Sequence, residues 1–289
     1  MNTLPPNEGR NGGGVDLHTH SSASDGALEP AELAQAAKTA GLSAVALTDH
    51  DTIDGLAAFK AAADALGLTA VGGVEISLEH SGTMHLLGLN AGGGDGIPAA
   101  LKSLKTYRVE RNLKMLDLLG RQGYYLSWEK LLETARGGQM GRPHFAALLL
   151  KKGYFKTRDE VFDHLLGKGK PGYVDKRRLA PEEGLAMLRE ARWAPVLAHP
   201  VSLGLEAGQW PKYIDQLKSW GLAGLEVNHP SHNPDQVEFF AALARNSGLV
   251  ATGGSDYHGE FKPAAGLDWA RLNCPFGLEI IDALAEKVV

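Results

Sequence analysis

Six of the eleven histidines sit at, or just past, the ends of short apolar segments or inside one of them, and this placement constrains the fold more than anything else in the chain. They are His18, His20, His50, His85, His199 and His258, accompanied by Asp16, Asp25, Asp49, Asp51, Glu75 and Asp256. The segments, at 15–18, 43–50, 69–77, 83–89, 194–199, 224–228 and 249–254, read as strands buried on both faces of a parallel sheet. Helical patterns follow at 30–40 and 54–66, and again at 181–192, 210–220, 234–247 and 278–288. Seven strand–helix steps predict an α/β barrel, where every strand C-terminus opens on one face, so scattered residues would converge there.

Six imidazoles with several carboxylates and no cysteine nearby form a donor set for divalent metals that take nitrogen and oxygen ligands. In DLHTHSSASDG, alternation along an extended chain puts His18 and His20 on one face, and Asp25 can fold back from the serine-rich turn. LTDHDT delivers His50 to the same mouth. GVEIS buries Glu75 in an apolar strand, which is costly for an unpartnered carboxylate. GSDYH repeats the same-face spacing with Asp256 and His258. Alone, His85 or His199 would read as a satisfied core histidine; the conjunction of two pairs, a mid-strand Glu and further strand-end histidines points to a polynuclear metal site. His80, His164 and His232 read as solvated surface. Asp49 and Asp51 are candidates to orient His50, with a helix N-cap as the alternative for Asp51 or Asp54.

Residues 97–180 break the strand–helix rhythm with helical patterns at 97–123, 127–135, 143–152 and 157–166. They form an insertion between the fourth and fifth strands. Here 18 Lys/Arg face 8 Asp/Glu, a balance of +10, whereas the rest of the chain carries 11 against 26, a balance of −15. One region is suited to cations and the other to an anion, although a basic helical surface without a partner is the plain alternative. The expected organisation is a flexible leader at 1–14, a barrel formed by 15–96 and 181–289, and a basic helical insertion at 97–180. No apolar run approaches a membrane span, and the N-terminus lacks the apolar core of a signal peptide. The lone Cys274 excludes an internal disulfide framework, so a cytoplasmic setting is expected.

Taken in order, DLHTHSSASDG, LTDHDT, GVEIS, the HLLG beginning at His85, LAHP around His199 and GSDYH resemble the motifs of the PHP (polymerase and histidinol phosphatase) family, grouped with the amidohydrolase superfamily. The resemblance covers 15–90 and 194–260. The insertion, with GRPHFA at 141–146, is similar to the branch of nucleoside-3′,5′-bisphosphate phosphatases and 5′→3′ exoribonucleases. It implies a distorted (β/α)7 barrel carrying three divalent ions, Mn²⁺ first, with Zn²⁺ or Fe²⁺ as alternatives. By resemblance, one ion takes His18, His20, Glu75 and Asp256. A second shares Glu75 and adds His85 and His199, and a third takes Asp25, His50 and His258.

The chemistry so implied is phosphoester hydrolysis in which a hydroxide held at the Glu75-bridged pair attacks phosphorus, with Glu75, Asp256 and His199 as the catalytic set. The charge of the insertion suggests a second anionic group on the substrate. Arg142 and His144 are the preferred contacts, because guanidinium grips phosphate bidentately. Lys176, Arg177 and Arg178 are weaker candidates, since a charge run is usually a solvated face. Asn228 and His229, in EVNHP, would face the mouth and could touch substrate, His229 being equally readable as a core histidine. The expected substrate is a small anionic nucleotide such as pAp, losing its 3′-phosphate, with short 5′-phosphorylated RNA as a close variant. Histidinol phosphate fits a basic lid poorly. A non-catalytic metal scaffold is disfavoured by the full ligand set and the lack of an attached polymerase region. Neither a membrane nor a stable protein partner is expected.

Overall fold

The computed structural model describes residues 13–93, 99–135, 138–261 and 265–288. Most of the expected leader therefore lies outside the described residues, and its last residue, Gly14, already opens the first strand. The strands are β1 (Gly14–Asp16), β2 (Leu42–Leu47), β3 (Thr69–Leu78), β4 (Met84–Asn90), β5 (Ala194–Leu197), β6 (Gly224–Asn228) and β7 (Val250–Gly253). They form one sheet in sequence order, nearly closed into a barrel. Helices α1 (Pro30–Thr39) and α2 (Leu56–Ala65) link the first three strands. After β4 come α3 (Ala99–Arg121), α4 (Trp128–Thr134), α5 (Arg142–Lys151) and α6 (Arg158–Val161), the last continuing as a π-turn, Phe162–Leu166. Then α7 (Pro181–Glu190) leads into β5, α8 (Trp210–Ser219) precedes β6, α9 (Pro234–Ser247) precedes β7, and α10 (Asp268–Asn273) and α11 (Glu279–Ala285) follow.

The barrel departs from an all-parallel one at a single strand. β4 runs antiparallel to both β3 and β5, while the other neighbouring pairs are parallel. Only 79–83 separate β3 from β4, too few for the dozen or more residues a parallel crossover needs. There is thus a hairpin, not a strand–helix step, at this point. Its consequence is that β4 presents its N-terminal end, with His85, at the face where its neighbours present their C-terminal ends.

Sequence punctuation accounts for the helix ends. α9 begins at Asn233, whose side chain accepts a hydrogen bond from the Gln236 N–H at 2.9 Å, has Pro234 in its first turn, and stops at the left-handed Gly248. Alternation in β2 divides its residues between the two sheet faces. Ala44 and Ala46 pack with Val71, Leu87 and Val196, whereas Val45 and Leu47 pack with Leu33 of α1 and Phe59 of α2. Each fully buried Leu or Phe on that helical layer contributes about 1.5–3 kcal/mol. The insertion has a core of its own, built from residues such as Met115, Leu131, Phe145, Leu149 and Leu166. Leu185 and Leu188 of α7, by contrast, pack with the barrel.

Between β7 and β1 the barrel is laced beyond the strands themselves. Leu17 N–H donates to Gly253 O at 3.2 Å, Asp256 N–H to His18 O at 2.9 Å, and His20 N–H to Tyr257 O at 2.9 Å. Gly254 makes this approach possible, since a Cβ there would lie 2.3 Å from the Cβ of His18. The segments that close the barrel are therefore the ones that carry the histidines.

Candidate active site

The convergence expected from the sequence is present. His18 and His20 leave β1 on one face, with Thr19 between them bridging Tyr257. Glu75 lies within β3, and His50 forms an isolated parallel bridge with it. His199 follows β5, and Asp256 and His258 follow β7. Three of the four non-glycine residues with positive φ among those described belong to this mouth: Asp51 (53°), His199 (26°) and Asp256 (51°). Backbone held in this sparsely populated region is concentrated where the chain turns sharply to aim a side chain inward.

Glu75 is the hub. Its Oε2 lies 3.4 Å from His18 Nε2, 3.2 Å from His20 Nε2 and 2.9 Å from His50 Nδ1. Its Oε1 lies 2.6 Å from His85 Nδ1 and 3.0 Å from His199 Nε2. Asp256 Oδ1 is 3.6 Å from His18 Nε2 and 3.3 Å from His20 Nε2. Asp25 Oδ1 is 3.3 Å from His258 Nε2 and 4.0 Å from His50 Nε2. Nine side chains from every strand except β6 are thus brought together.

These donors suit metal ions. The buried atoms His18 Nε2, His20 Nδ1 and Nε2, His50 Nδ1 and Glu75 Oε2 make no hydrogen bond, although the hub distances are short. Tetrahedral ligands at about 2.1 Å from an ion are about 3.4 Å apart, close to the spacing among His18, His20, Glu75 and Asp256. Among the described residues, four groups have ligand atoms within 4.8 Å of one another: His20, Asp25, His50 and His258; His18, His20 and Asp256; His50, Glu75 and His85; and His18, Glu226 and His229. The electrostatics agree. Burial alone would raise the Glu75 pKa, but His50, His85 and His18 outweigh it and hold the carboxyl well below its ordinary range. Burial pushes His85 down to about 4, leaving it neutral at pH 7, the state a ligand requires. Against burial, Glu226, Glu75 and Asp256 hold the His18 pKa well up, so the cluster demands positive charge.

Behind the cluster lie buried carboxylates that hold the loops. Asp16 accepts from Ser255 N–H at 2.9 Å and from the Ser255 hydroxyl at 2.6 Å, fixing the turn before Asp256. Asp49 accepts from Ser21 N–H at 2.8 Å and from the hydroxyls of Ser21 at 2.6 Å and Ser24 at 2.5 Å, fixing the turn before Asp25. Neither Asp49 nor Asp51 hydrogen-bonds His50, which corrects the orienting role expected of them. Asp51 instead accepts from Ser77 N–H at 3.2 Å and pairs with Arg108 and Lys176 of the insertion. The α2 N-cap is Gly55, and Asp54 pairs with Lys105, so the capping alternative fails as well. Glu226 of β6, unexpected from the sequence, is fully buried against His18.

A cleft of about 770 Å³ runs from Asp25, His50 and His85 to the insertion. Arg108, Arg111, Arg142, Arg158, Lys168, Lys176 and Arg178 line it, against Asp25 and Asp175. Arg111 is only 7% exposed, and its guanidinium hydrogen-bonds Asn112 Oδ1, a neutral acceptor. Burial, then the charges of Arg108 and Arg142, press its pKa down. A buried cation among cations is costly and calls for an anion. Arg142 reaches the cleft with its guanidinium 5.2 Å from the Tyr173 ring centre while donating to Leu166 O at 3.3 Å. Lys176 and Arg178 face the cleft, but Arg177 lies over Tyr107, 4.2 Å from its ring centre, and turns away. Of the three basic candidates in DKRR, Arg177 is therefore corrected, while Lys176 and Arg178 stay at the cleft.

Two other expected contacts, His144 and Asn228, are also corrected, and His229 takes the core position given as its alternative. His144 accepts the Gly141 N–H on Nδ1 at 2.9 Å, closing the first turn of α5, and does not line the cleft. Asn228 donates to Asn273 O at 2.9 Å and does not line the cleft. His229 is buried, with Nε2 3.3 Å from Asp256 Oδ2. His232 is half-buried against Phe240 and bonded to Val227 O, not solvated; His164 is exposed as expected.

The sequence profile described as PHP domain matches residues 16–163. Among curated relatives, a 3′,5′-nucleoside bisphosphate phosphatase of Chromobacterium violaceum is 34% identical, covering 84% of this chain and 87% of its own. A 5′-3′ exoribonuclease of Haemophilus influenzae is 32% identical, covering 84% and 89%. A phosphoribosyl 1,2-cyclic phosphate 1,2-diphosphodiesterase of Eggerthella lenta is 34% identical, covering 85% and 94%. A solved structure from Bifidobacterium adolescentis, described as a candidate metal-dependent phosphoesterase, superposes with a TM-score of 0.82 at 28% identity, covering 96% and 97%.

Proposed function

The chain belongs to the PHP domain family and is a metal-dependent phosphoesterase, and we propose that it removes the 3′-phosphate from nucleoside 3′,5′-bisphosphates such as pAp. The observation that carries the substrate is the buried Arg111, hydrogen-bonded to the neutral Asn112, which lines the cleft with Arg142 and with the Asp51-paired Arg108 and Lys176, the same cleft that reaches the histidine–carboxylate cluster. One phosphate at each end suits a substrate with two, as the name of the Chromobacterium relative has it. The Haemophilus relative's name favours a second reading, 5′→3′ cleavage of short 5′-phosphorylated RNA, in which the same arginines would hold the terminal phosphate.

We assign three divalent ions, Mn²⁺ first, to His18, His20, Glu75 and Asp256; to Glu75, His85 and His199; and to Asp25, His50 and His258. When bound, such ions neutralise phosphoryl oxygens and make hydroxide available at neutral pH. The chain's own part is positional and protonic. Glu75 joins the first two donor groups through its two oxygens. Asp256 turns Oδ1 to the cluster and Oδ2 to His229 Nε2, so a proton taken up at Asp256 has a way out to an imidazole. His199, with Nε2 on Glu75 and Nδ1 2.9 Å from the Ser202 hydroxyl, is held in one orientation. The arginines bind the second phosphate with charge-assisted hydrogen bonds and fix the scissile ester over the cluster. A cytoplasmic setting is part of the proposal, in keeping with a single, buried Cys274.

The test is phosphate release by Mn²⁺-loaded protein from pAp, AMP, histidinol phosphate and a 5′-phosphorylated trinucleotide, with nucleotide products followed alongside. Release from pAp and not AMP is expected. Mononucleotide release from the trimer with comparable efficiency would move the assignment to the RNA reading, and release from histidinol phosphate alone would refute both.

A further inference from the structure

We propose that Glu226 is a positioning residue that sets two of the candidate metal ligands at once, His18 and His199, and thereby ties two metal positions together. This rests on the reading of the cluster as a metal centre. Glu226 lies on β6, the strand that supplies none of the nine expected ligands, and is 0% exposed. Its Oε1 is 3.0 Å from His18 Nδ1, and its Oε2 accepts from the His199 backbone N–H at 2.5 Å.

Each bond has a distinct consequence. A carboxylate facing Nδ1 keeps the proton on that nitrogen, which leaves the His18 Nε2 lone pair directed at Glu75 and Asp256. The second bond acts on the backbone. The β5–β6 ladder ends at Leu197 and Leu225, and His199 then turns with φ 26° and ψ 62°. Glu226 takes the N–H that the ended ladder no longer accepts, and so holds the turn that aims His199 Nε2 at Glu75, 3.0 Å away. The two rings it governs stack with centres 5.8 Å apart.

Two donors on two oxygens need a carboxylate. Glutamine has one acceptor oxygen, and a backbone N–H cannot change its role. In Glu226→Gln the amide oxygen goes to His199 N–H and the NH₂ faces His18 Nδ1. His18 is then driven to the Nε2–H tautomer and its lone pair turns away from the cluster. Loss of such an outer partner typically weakens metal binding about 10–100-fold.

The experiment titrates Mn²⁺ into metal-stripped full-length protein by calorimetry with a competing chelator, comparing the unsubstituted protein with Glu226→Gln and Glu226→Asp. The Zn²⁺-loaded forms are examined by ¹H–¹⁵N NMR for the Nδ1-bound proton of His18. We expect Mn²⁺ affinity to fall about 10–100-fold in Glu226→Gln, with the Nδ1 proton signal lost. A folded Glu226→Gln that binds Mn²⁺ within twofold of the unsubstituted protein and keeps that signal overturns the proposal. Should Glu226→Gln not fold, Glu226→Asp decides. Its carboxylate is too short to reach both donors, and wild-type affinity there overturns the proposal equally. If the unsubstituted protein takes up no Mn²⁺, the metal reading itself falls and this inference with it. Binding that is unaffected by either substitution removes only the role of Glu226.

Discussion

The barrel mouth and the wall of the insertion solve opposite electrostatic problems within one cleft. At the mouth, carboxylates and imidazoles meet at 2.6 to 3.6 Å around Glu75, with buried donor and acceptor atoms that satisfy no partner in the protein. Positive charge has to be supplied there. Across the cleft, the charges of Arg108 and Arg142 add to burial in disfavouring the charge on Arg111, against a smaller pull from Asp51, and the wall is suited to an anion. The mouth is precise because strand ends, a closing barrel and strained turns fix each atom. The wall is assembled from one long helix, a helix start and an extended segment, and needs only to gather charge. Asp51 is a direct ionic tie between the two, reaching from the β2 end to Arg108 and Lys176.

If the contrast is right, disabling the mouth should remove chemistry, whereas disabling the wall should remove only discrimination. Glu75→Gln is the harshest test. It deletes charge from the residue that touches five imidazoles, and activity on every phosphoester should fall on the order of 10³-fold or more, with the helix content unchanged by circular dichroism. Near-native turnover in that variant, with metals confirmed bound, would sink the assignment of Glu75 as the bridge. Arg111→Ala should act on the other side alone. Loss of a buried charge-assisted hydrogen bond is worth about 1.5–3 kcal/mol, so kcat/KM for a nucleoside bisphosphate should fall about 10–100-fold. A monophosphate substrate should be hydrolysed as before. Equal losses on both substrates would mean that Arg111 supports the fold and not the second phosphate.

The mouth is far more legible in the sequence than the wall, for a physical reason. Metal ligands must be particular residue types on strand ends, and the period of two along a strand says which residues share a face. His18 and His20 can therefore be paired from the order of residues alone, whereas Asp256, turned at a positive φ beyond β7, falls into a different donor group from His258. The same reasoning applies to Glu226, a lone carboxylate in the apolar run GLEVN like Glu75 in GVEIS, but its partner His18 stands 208 residues away, and nothing in the sequence joins the two. The antiparallel β4 is also readable in the five residues between β3 and β4. For the wall, α3 carries lysines and arginines on several faces, and nothing in the sequence says which face meets the cleft, so Arg108 and Arg111 do not stand out. His144 misleads because a histidine three residues into GRPH serves equally well as a helix cap, and Arg177 because the segment has to be known as extended for its neighbours to be told apart.

The smallest expected effect tests whether the wall works by charge itself. Lys176 is pushed down to about 8, first by burial and then by Arg108, Arg178 and Arg111, with Asp51 opposing. Below pH 8 the ammonium is intact and can take part in holding a second phosphate. As pH rises through 8 the proton leaves and that contribution is lost. The profile of kcat/KM against pH reports the free enzyme, so for the bisphosphate it should bend downward near pH 8. The loss should be no more than about 10-fold at pH 9, where roughly a tenth of such a group stays charged. The ratio of bisphosphate to monophosphate kcat/KM cancels ionisations at the mouth and should carry the bend alone. Lys176→Arg keeps a cation at every accessible pH and should flatten the ratio. A ratio that bends equally in the arginine variant would move the ionisation elsewhere and leave Lys176 holding Asp51 and Ser77 in place, a structural tie between insertion and barrel and not part of the anion site.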